Sequence, residues 1–286
     1  MLKIAILALI VMTATGLIFG LVLGYANKRF AIESNPLIDL VEDELPKGQC
    51  GGCGYAGCRA YAEAVVLDKD VKPNLCVPGK APVAEAVARL TGKQAEVVEP
   101  KVAHVMCKGT PQNASRKYDY VGVKDCTAAS LIQGGPKSCE YGCIGFGTCV
   151  KNCPFDAMMM GENGLPWIDT ELCTGCGKCE SVCPKNVISL IPVGAKVEVE
   201  CNSKDKGAKV RKNCKVGCLG CGLCARNCDH NAIKIENNLA VVDANICINE
   251  CSEEKCLTKC PTGAIKYILK GLNEQEKSKQ EAAANN

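Results

Sequence analysis

Apolar positions are spread very unevenly along this chain. Residues 4–26 form one unbroken apolar run, IAILALIVMTATGLIFGLVLGYA. A run of that length spans the hydrocarbon core of a bilayer as a single helix. Lys28 and Arg29 follow at once, against only Lys3 and the amino terminus before it, so the excess of positive charge places the C-terminal side in the cytoplasm. A cleaved signal peptide is the other reading, but its apolar stretch is usually shorter and no A-x-A site follows here. Gly16, Gly20 and Gly24 lie four apart, on one face of that helix, a spacing that lets a second helix pack closely.

Downstream no long apolar run recurs. Residues 30–45 are polar and acidic and read as a linker. Residues 59–67 (RAYAEAVVL) and 82–92 (PVAEAVARLTG) read as helices, the second stopped by Gly92. Residues 157–160 and 165–168 read as a short hairpin around Glu162-Asn163-Gly164. Residues 95–135 are harder; strand-like pieces such as 120–123 suggest an insert on the unit that follows. Aromatic residues make up 4% of the 286. That is too little bulk for one large core, so small stapled modules are expected.

The staple is cysteine, of which there are 24. Cys173, Cys176, Cys179 and Cys183 are spaced C-x2-C-x2-C-x3-C and followed by Pro184. That run holds [4Fe–4S] clusters in bacterial ferredoxins: three cysteines wrap one corner of a cubane, and the fourth reaches across to the other cluster of a pair. Structural zinc uses two separated pairs instead. Thiolate clusters also need a reducing compartment, which again puts the cysteines on the cytoplasmic side. A second arm, Cys143, Cys149 and Cys153 before Pro154, stands upstream. Nearer the amino terminus CGGCGYAGC supplies Cys50, Cys53 and Cys58, with Cys76 eighteen positions on. Four ligands in a compact module fit another [4Fe–4S] site, with zinc as the alternative. The match of this stretch to G-x-G-x-x-G carries no nucleotide site, because no strand precedes it and cysteine occupies the turn.

The chain then repeats itself. Residues 139–158 (CEYGCIGFGTCVKNCPFDAM) align without gaps on 214–233 (CKVGCLGCGLCARNCDHNAI), pairing Cys139 with Cys214, Cys143 with Cys218, Cys149 with Cys224 and Cys153 with Cys228. Thirteen positions upstream of each first cysteine stands another, Cys126 and Cys201. A duplication accounts for this. Phe146 stands where the second copy has Cys221, and Asp229 replaces the proline after Cys228. The last arm is loosened to Cys247, Cys251, Cys256 and Cys260, before Pro261. Cross-ligation predicts one cluster on Cys153, Cys173, Cys176 and Cys179, and its partner on Cys143, Cys149 and Cys183 with Cys139 in place of the ligand missing at Phe146. In the second copy it predicts one cluster on Cys218, Cys221, Cys224 and Cys260, and one on Cys228, Cys247, Cys251 and Cys256. With the N-terminal site that makes five [4Fe–4S] clusters. Cys107, Cys126, Cys201 and Cys214 are left over, enough for a sixth cubane or, alternatively, structural thiols.

Charge adds one feature. The formal net charge is +3, but an oxidised cubane with four thiolates carries about −2, so five would bring the chain to about −7. Against that, Lys204, Lys206, Lys209, Arg211, Lys212 and Lys215 crowd one stretch broken by a single acid, Asp205. It is either a solvated loop or a docking face for an acidic electron donor. Nothing points to bond chemistry by this chain alone. There are two histidines, His104 and His230, no C-x-x-C-H haem motif, and no credible flavin or NAD fingerprint. The apolar run holds no ionisable residue, so an ion path belongs to partner subunits. A non-redox zinc or nucleic-acid module is disfavoured by the spacings.

A membrane helix, CGGCGYAGC with its distant fourth cysteine, and ferredoxin arms behind it resemble the B subunits of Rnf complexes over nearly the whole chain. The doubled ferredoxin unit resembles the longer members from anaerobes. The resemblance implies an α+β chain with a transmembrane anchor at 1–27, a linker at 28–45, a [4Fe–4S] module at 46–95, an insert at 96–135, ferredoxin-like dicluster domains at 136–195 and 196–268, and a polar tail at 269–286. It implies a single-pass subunit of an ion-translocating ferredoxin:NAD+ oxidoreductase in the cell (inner) membrane. Such a subunit takes electrons from soluble ferredoxin and relays them through [4Fe–4S] clusters to flavin- and NAD-binding partners, which couple the flow to Na+ or H+ translocation. No nucleic acid is implied. An electron carrier for another membrane enzyme, a hydrogenase or reductase, is the competing reading, disfavoured by the helix and the CGGCGYAGC module.

Overall fold

The computed structural model describes residues 2–30, 35–96, 99–251 and 253–268. The polar tail and part of the linker expected from the sequence lie outside these. Helix α1, Leu2–Phe30, stands apart from the rest, with its apolar side chains exposed all round. Its segment Lys3–Phe30, whose most apolar 18-residue stretch has a mean hydropathy of 2.6, is long and apolar enough to cross a membrane by length and composition. The hydroxyls of Thr13 and Thr15 donate back to the carbonyls of Leu9 and Val11, at 2.9 and 2.8 Å. Both hydroxyls are thereby paired within the helix itself. Nothing lies within 4 Å of a Cβ placed on Gly16, Gly20 or Gly24, so the glycine face is open.

The first packed body is a three-helix module. The expected linker is structured here: Pro36–Glu44 forms α2. Asn35 caps it by accepting from the Leu37 N–H at 3.0 Å, and Pro36 occupies the first turn, where no N–H is required. The polar look of this stretch is only its outer face. Ile38, Val41 and Leu45 are buried against Tyr61 and Val65 of α3 (Cys58–Leu67) and Val87 of α4 (Lys80–Thr91). Gly92, at φ 67, ends α4 in a left-handed cap. Lys93 then turns back, and its Nζ donates to the carbonyls of Val65, Asp68 and Val71 at 2.6–2.7 Å. One ammonium thus satisfies the open end of α3 and ties it to α4.

Beyond it one order of elements occurs twice, with an extra helix after the hairpin of the second copy. The first copy runs β1 (Lys101–Val105), α5 (Cys126–Ser130), α6 (Thr148–Lys151), the hairpin β2 (Met158–Met160) and β3 (Pro166–Ile168), α7 (Lys178–Ser181) and β4 (Ile188–Pro192). The second runs β5 (Val197–Val199), α8 (Gly207–Asn213), α9 (Leu223–Arg226), the hairpin β6 (Ile233–Glu236) and β7 (Leu239–Val242), α10 (Ala244–Glu250), α11 (Lys255–Lys259) and β8 (Ile265–Tyr267). Each copy is closed by its own ends, with β1 antiparallel to β4 and β5 antiparallel to β8. The expected hairpin is present, Met158 opposite Ile168. Its counterpart turns on Asn237 and Asn238, both at positive φ (49 and 62), as a two-residue hairpin turn requires.

A local rule recurs four times. The third residue after each arm-ending cysteine is left-handed: Asp156, Asn186, Asn231 and Gly263, at φ 50–61. The next residue, Ala157, Val187, Ala232 or Ala264, is buried, 1–3% exposed. The kink sends the chain from a cysteine into the core. Asn, Asp and Gly are the residues that take this conformation at least cost.

The insert differs from expectation. Residues 120–123 form no strand; the strand upstream of the first copy is β1. Residues 113–115 instead lie along 213–215, with the Ser115 N–H donating to the Asn213 carbonyl at 2.9 Å and the Lys215 N–H to the Asn113 carbonyl at 2.8 Å. This seam ties the two copies together.

Candidate metal centres

Twenty-four cysteines, none in a disulfide, gather into six sets of four. Cys50, Cys53, Cys58 and Cys76 line a cavity of about 340 Å³ under Leu45 and Tyr61. Cys153, Cys173, Cys176 and Cys179 line one of about 320 Å³, and Cys218, Cys221, Cys224 and Cys260 another of about 320 Å³. Cys228, Cys247, Cys251 and Cys256 pack together in the core of the second copy, close enough for Cys251 and Cys228 to disfavour ionisation of Cys247. These four sets bring their cysteines together as the spacing had grouped them.

The other two do not. Cys126, with Cys143, Cys149 and Cys183, lines a cavity of about 360 Å³. Cys139 lies elsewhere, with Cys107, Cys201 and Cys214, around a cavity of about 480 Å³ between the copies. Cys126, and not Cys139, therefore stands with the three cysteines of the set that lacks a counterpart to Cys221 at Phe146. The reason is local. Asp125 caps α5 and also accepts from the Thr148 hydroxyl at 2.7 Å, while that hydroxyl accepts from the Cys126 N–H at 2.8 Å. The Phe146 ring packs on Tyr120 of the insert, centroids 5.4 Å apart. The ring that displaced a thiol thus holds the segment that delivers another.

The matching of Cys126 to Cys201 by spacing also fails in space. Cys107 and Cys201 are the equivalents. Each follows the end of its strand, β1 or β5, by two residues. Each sulfur faces the N–H of the next set's first cysteine, Cys143 for Cys107 (3.4 Å) and Cys218 for Cys201. Cys139 and Cys214 are the other equivalent pair, so the central set takes two cysteines from each copy. No spacing rule could find it, because its ligands are brought together only by the seam between copies.

Four thiols around an apolar-walled void are the donor set of a [4Fe–4S] cubane. Among the described residues no three His, Cys, Asp or Glu side chains converge on a point, as a single ion held at about 2.3 Å by thiolates would require. Burial pushes the thiols up: Cys143, Cys179 and Cys201 to about 12, and Cys76, Cys149, Cys247 and Cys256 to about 11. Such thiols stay protonated until iron displaces the proton, so acidification favours loss of metal. Backbone N–H groups point at several sulfurs, Gly109 at Cys107 (3.4 Å), Ala232 at Cys228 (3.3 Å) and Ala264 at Cys260 (3.2 Å). Donors of this kind stabilise the more negative, reduced form of a cluster.

Lys137 is the only buried lysine or arginine among the described residues, 7% exposed. It lines the central cavity, and its Nζ donates to the Gly109 carbonyl at 2.5 Å. Burial raises the Cys143 and Cys214 thiols, and this ammonium draws both back down. Lys108, paired with buried Glu200 at 3.2 Å, is balanced; Lys137 has no acid partner among the described residues. Replacing Lys137 with Met should lower the potential of the central site by tens of millivolts, since a cation near an anionic group favours its reduction. An EPR-monitored redox titration checks this. Equal potentials at unchanged iron content would show the charge to be screened.

The sets stand in a line. A Cβ on Gly52, beside Cys53, would lie 2.6 Å from the Cys176 carbonyl oxygen, so the N-terminal set abuts the Cys153/Cys173/Cys176/Cys179 set. Cys179 of α7 faces Cys149 of α6; Cys143 meets Cys107; Cys201 meets Cys218; and Cys224 of α9 faces Cys256 of α11. Every set is within reach of the next.

The arrangement defines a class: a multi-site iron–sulfur protein carrying a helix of membrane-spanning length. A family model for an Fe-S cluster matches residues 45–78, and one for a 4Fe-4S dicluster domain matches residues 142–188. Three curated relatives are similar over most of the chain. The B subunit of the proton-translocating ferredoxin:NAD(+) oxidoreductase complex of Clostridium ljungdahlii is 67% identical over 98% of each chain. The B subunit of the Na(+)-translocating complex of Acetobacterium woodii is 41% identical over 88% of this chain and 76% of its own. The B subunit of the ion-translocating oxidoreductase complex of Methanosarcina acetivorans is 40% identical over 89% of this chain and 95% of its own. The chain belongs to the family of B subunits of these ion-translocating ferredoxin:NAD+ oxidoreductase, or Rnf, complexes.

Proposed function

We propose that this chain is the membrane-anchored electron wire of such a complex. It holds six [4Fe–4S] clusters on all 24 cysteines, takes electrons from reduced ferredoxin, and passes them to flavin- and NAD-binding subunits. Those partners couple the flow to Na+ or H+ movement. The two copies are tandem ferredoxin-like domains on the cytoplasmic side, and α1 anchors them. The observation that carries this reading is the division of every cysteine into six adjoining sets of four.

A bound cubane supplies one-electron storage without bond making. The chain does the rest. It gathers the thiolates in sets of four, packs apolar side chains around the sulfurs to limit water, and aims N–H groups at several of them. It also keeps neighbouring sites in contact, so that an electron never crosses a long stretch of protein.

Anaerobically purified protein should carry about 24 irons and as many sulfides per chain, four per cubane. A brown absorbance that bleaches with dithionite should accompany them. About eight irons, or a colourless zinc protein, overturns the reading. Removing residues 1–30 should give brown protein of the same iron content that no longer copurifies with its complex; continued copurification would show that α1 is dispensable for assembly.

A further inference from the structure

The basic stretch seen in the sequence has a definite place. Lys204 and Lys206 lead into α8, whose inner residues Val210 and Asn213 wall the central cavity. Lys204, Lys206, Lys209, Arg211, Lys212 and Lys215 are all exposed. Lys209 is committed, to Asp205 at 3.0 Å and Glu140 at 3.7 Å. The other five make no ion pair among the described residues. Asp205 and Glu140, the acids that pair within the patch, are both spent on that one lysine.

The start of α8 sits on the loop of the neighbouring set. A Cβ on Gly207 would lie 2.7 Å from the Leu219 carbonyl oxygen, and the Asn238 amide donates to the Lys204 carbonyl at 3.1 Å. Gly220 touches the same Asn238 backbone. The loop between Cys218 and Cys224 carries Cys221, the one cysteine of the 24 that is exposed. Unpaired cations and the most accessible ligand therefore share one face. With six cubanes bound, the holoprotein carries about −9, so overall charge does not impose a positive patch there.

We propose that this face is the docking surface for the electron donor, an acidic carrier protein that bears its own clusters, and that electrons come in at the Cys218/Cys221/Cys224/Cys260 site. The proposal rests on the six-site reading above. Opposite charge steers the encounter and raises its rate while leaving the contact short-lived, which suits a donor that must leave again. An electron arriving there is one step from the central site through Cys218 and Cys201. The Cys228/Cys247/Cys251/Cys256 site is then a side branch.

The test uses the purified complex and a reduced acidic two-cubane ferredoxin, mixed in a stopped-flow instrument. Lys206→Glu/Arg211→Glu/Lys212→Glu should be reduced about tenfold more slowly at low salt. The gap should narrow as salt rises, because screening removes the attraction from the parent too. Reduction by dithionite and iron content should match the parent. The equal reversal Lys117→Glu/Lys124→Glu/Lys151→Glu, on the first copy, should leave the ferredoxin rate within twofold. Parental rates for the α8 variant at low salt overturn the proposal, and so does an equal loss in the control. A parent with far fewer than 24 irons would instead count against the six-site reading itself.

Discussion

Cys139→Ser and Cys126→Ser should extinguish different clusters. The first removes the central site and the second the site beside Phe146. In each case iron falls from about 24 to about 20 per chain, or one cubane becomes a three-iron form. Both breaks fall in the middle of the line, so ferredoxin-driven NAD+ reduction by the complex should drop to near background. Rapid mixing with reduced ferredoxin separates the two variants. With Cys139 gone, electrons reach only the two sites of the second copy. With Cys126 gone, they also reach the central site. If Cys139→Ser and Cys143→Ser abolish the same EPR signal, the assignment of Cys126 is wrong. A rescue sharpens this test. Because Phe146 aligns with Cys221, Cys126→Ser/Phe146→Cys should regain the lost cubane in the ordinary ferredoxin pattern. The Tyr120–Phe146 contact is lost in that variant, so its thermal stability should fall even as iron returns.

Gly52→Val should cut the other end of the wire without removing any ligand. A Cβ there would lie 2.6 Å from the Cys176 carbonyl oxygen and 3.4 Å from its Cα. The clash is with backbone, which cannot rotate away. The three-helix module has its own core, with Val41, Val65 and Val87 fully buried, so it should stay folded and shift as a body. Iron content should therefore remain parental, while NAD+ reduction driven by ferredoxin falls at least severalfold. The magnetic coupling between the reduced clusters at Cys50/Cys53/Cys58/Cys76 and Cys153/Cys173/Cys176/Cys179 should weaken together with the rate. Parental turnover with valine at this position would mean that the N-terminal site lies off the electron path.

Local patterns in this chain speak for local chemistry. The apolar run at 4–26 foretold α1 because a helix that meets lipid must be apolar on every face. The runs around Cys50, Cys173 and Cys218 already grouped cysteines that the fold gathers around common cavities, because a few consecutive residues can wrap one corner. The left-handed turn after each arm falls on Asp156, Asn186, Asn231 and Gly263, residue types that take it at little cost, but the structure and not the spacing located it. By contrast α2 was hidden, since its amphipathic face is three residues, Ile38, Val41 and Leu45, in an acidic stretch. Lys137 looks like any surface lysine until the fold buries it beside the central cavity, with its Nζ on the Gly109 carbonyl.

The largest gap concerns the fourth ligand. Chain spacing constrains three cysteines of a corner, because the cube bridges neighbours directly. It says nothing about a cysteine that arrives from another segment. Cys126 and Cys139 are thirteen residues apart, and the sequence by itself points to Cys139. Asp125, Thr148 and the Phe146 ring send one to the first copy's own cluster site, and the pairing of residues 113–115 with 213–215 leaves the other between the copies. The order of the six sites is of the same kind. It depends on which loops touch, Gly52 on Cys176 and Cys143 on Cys107, and such contacts form only when separately specified modules pack together.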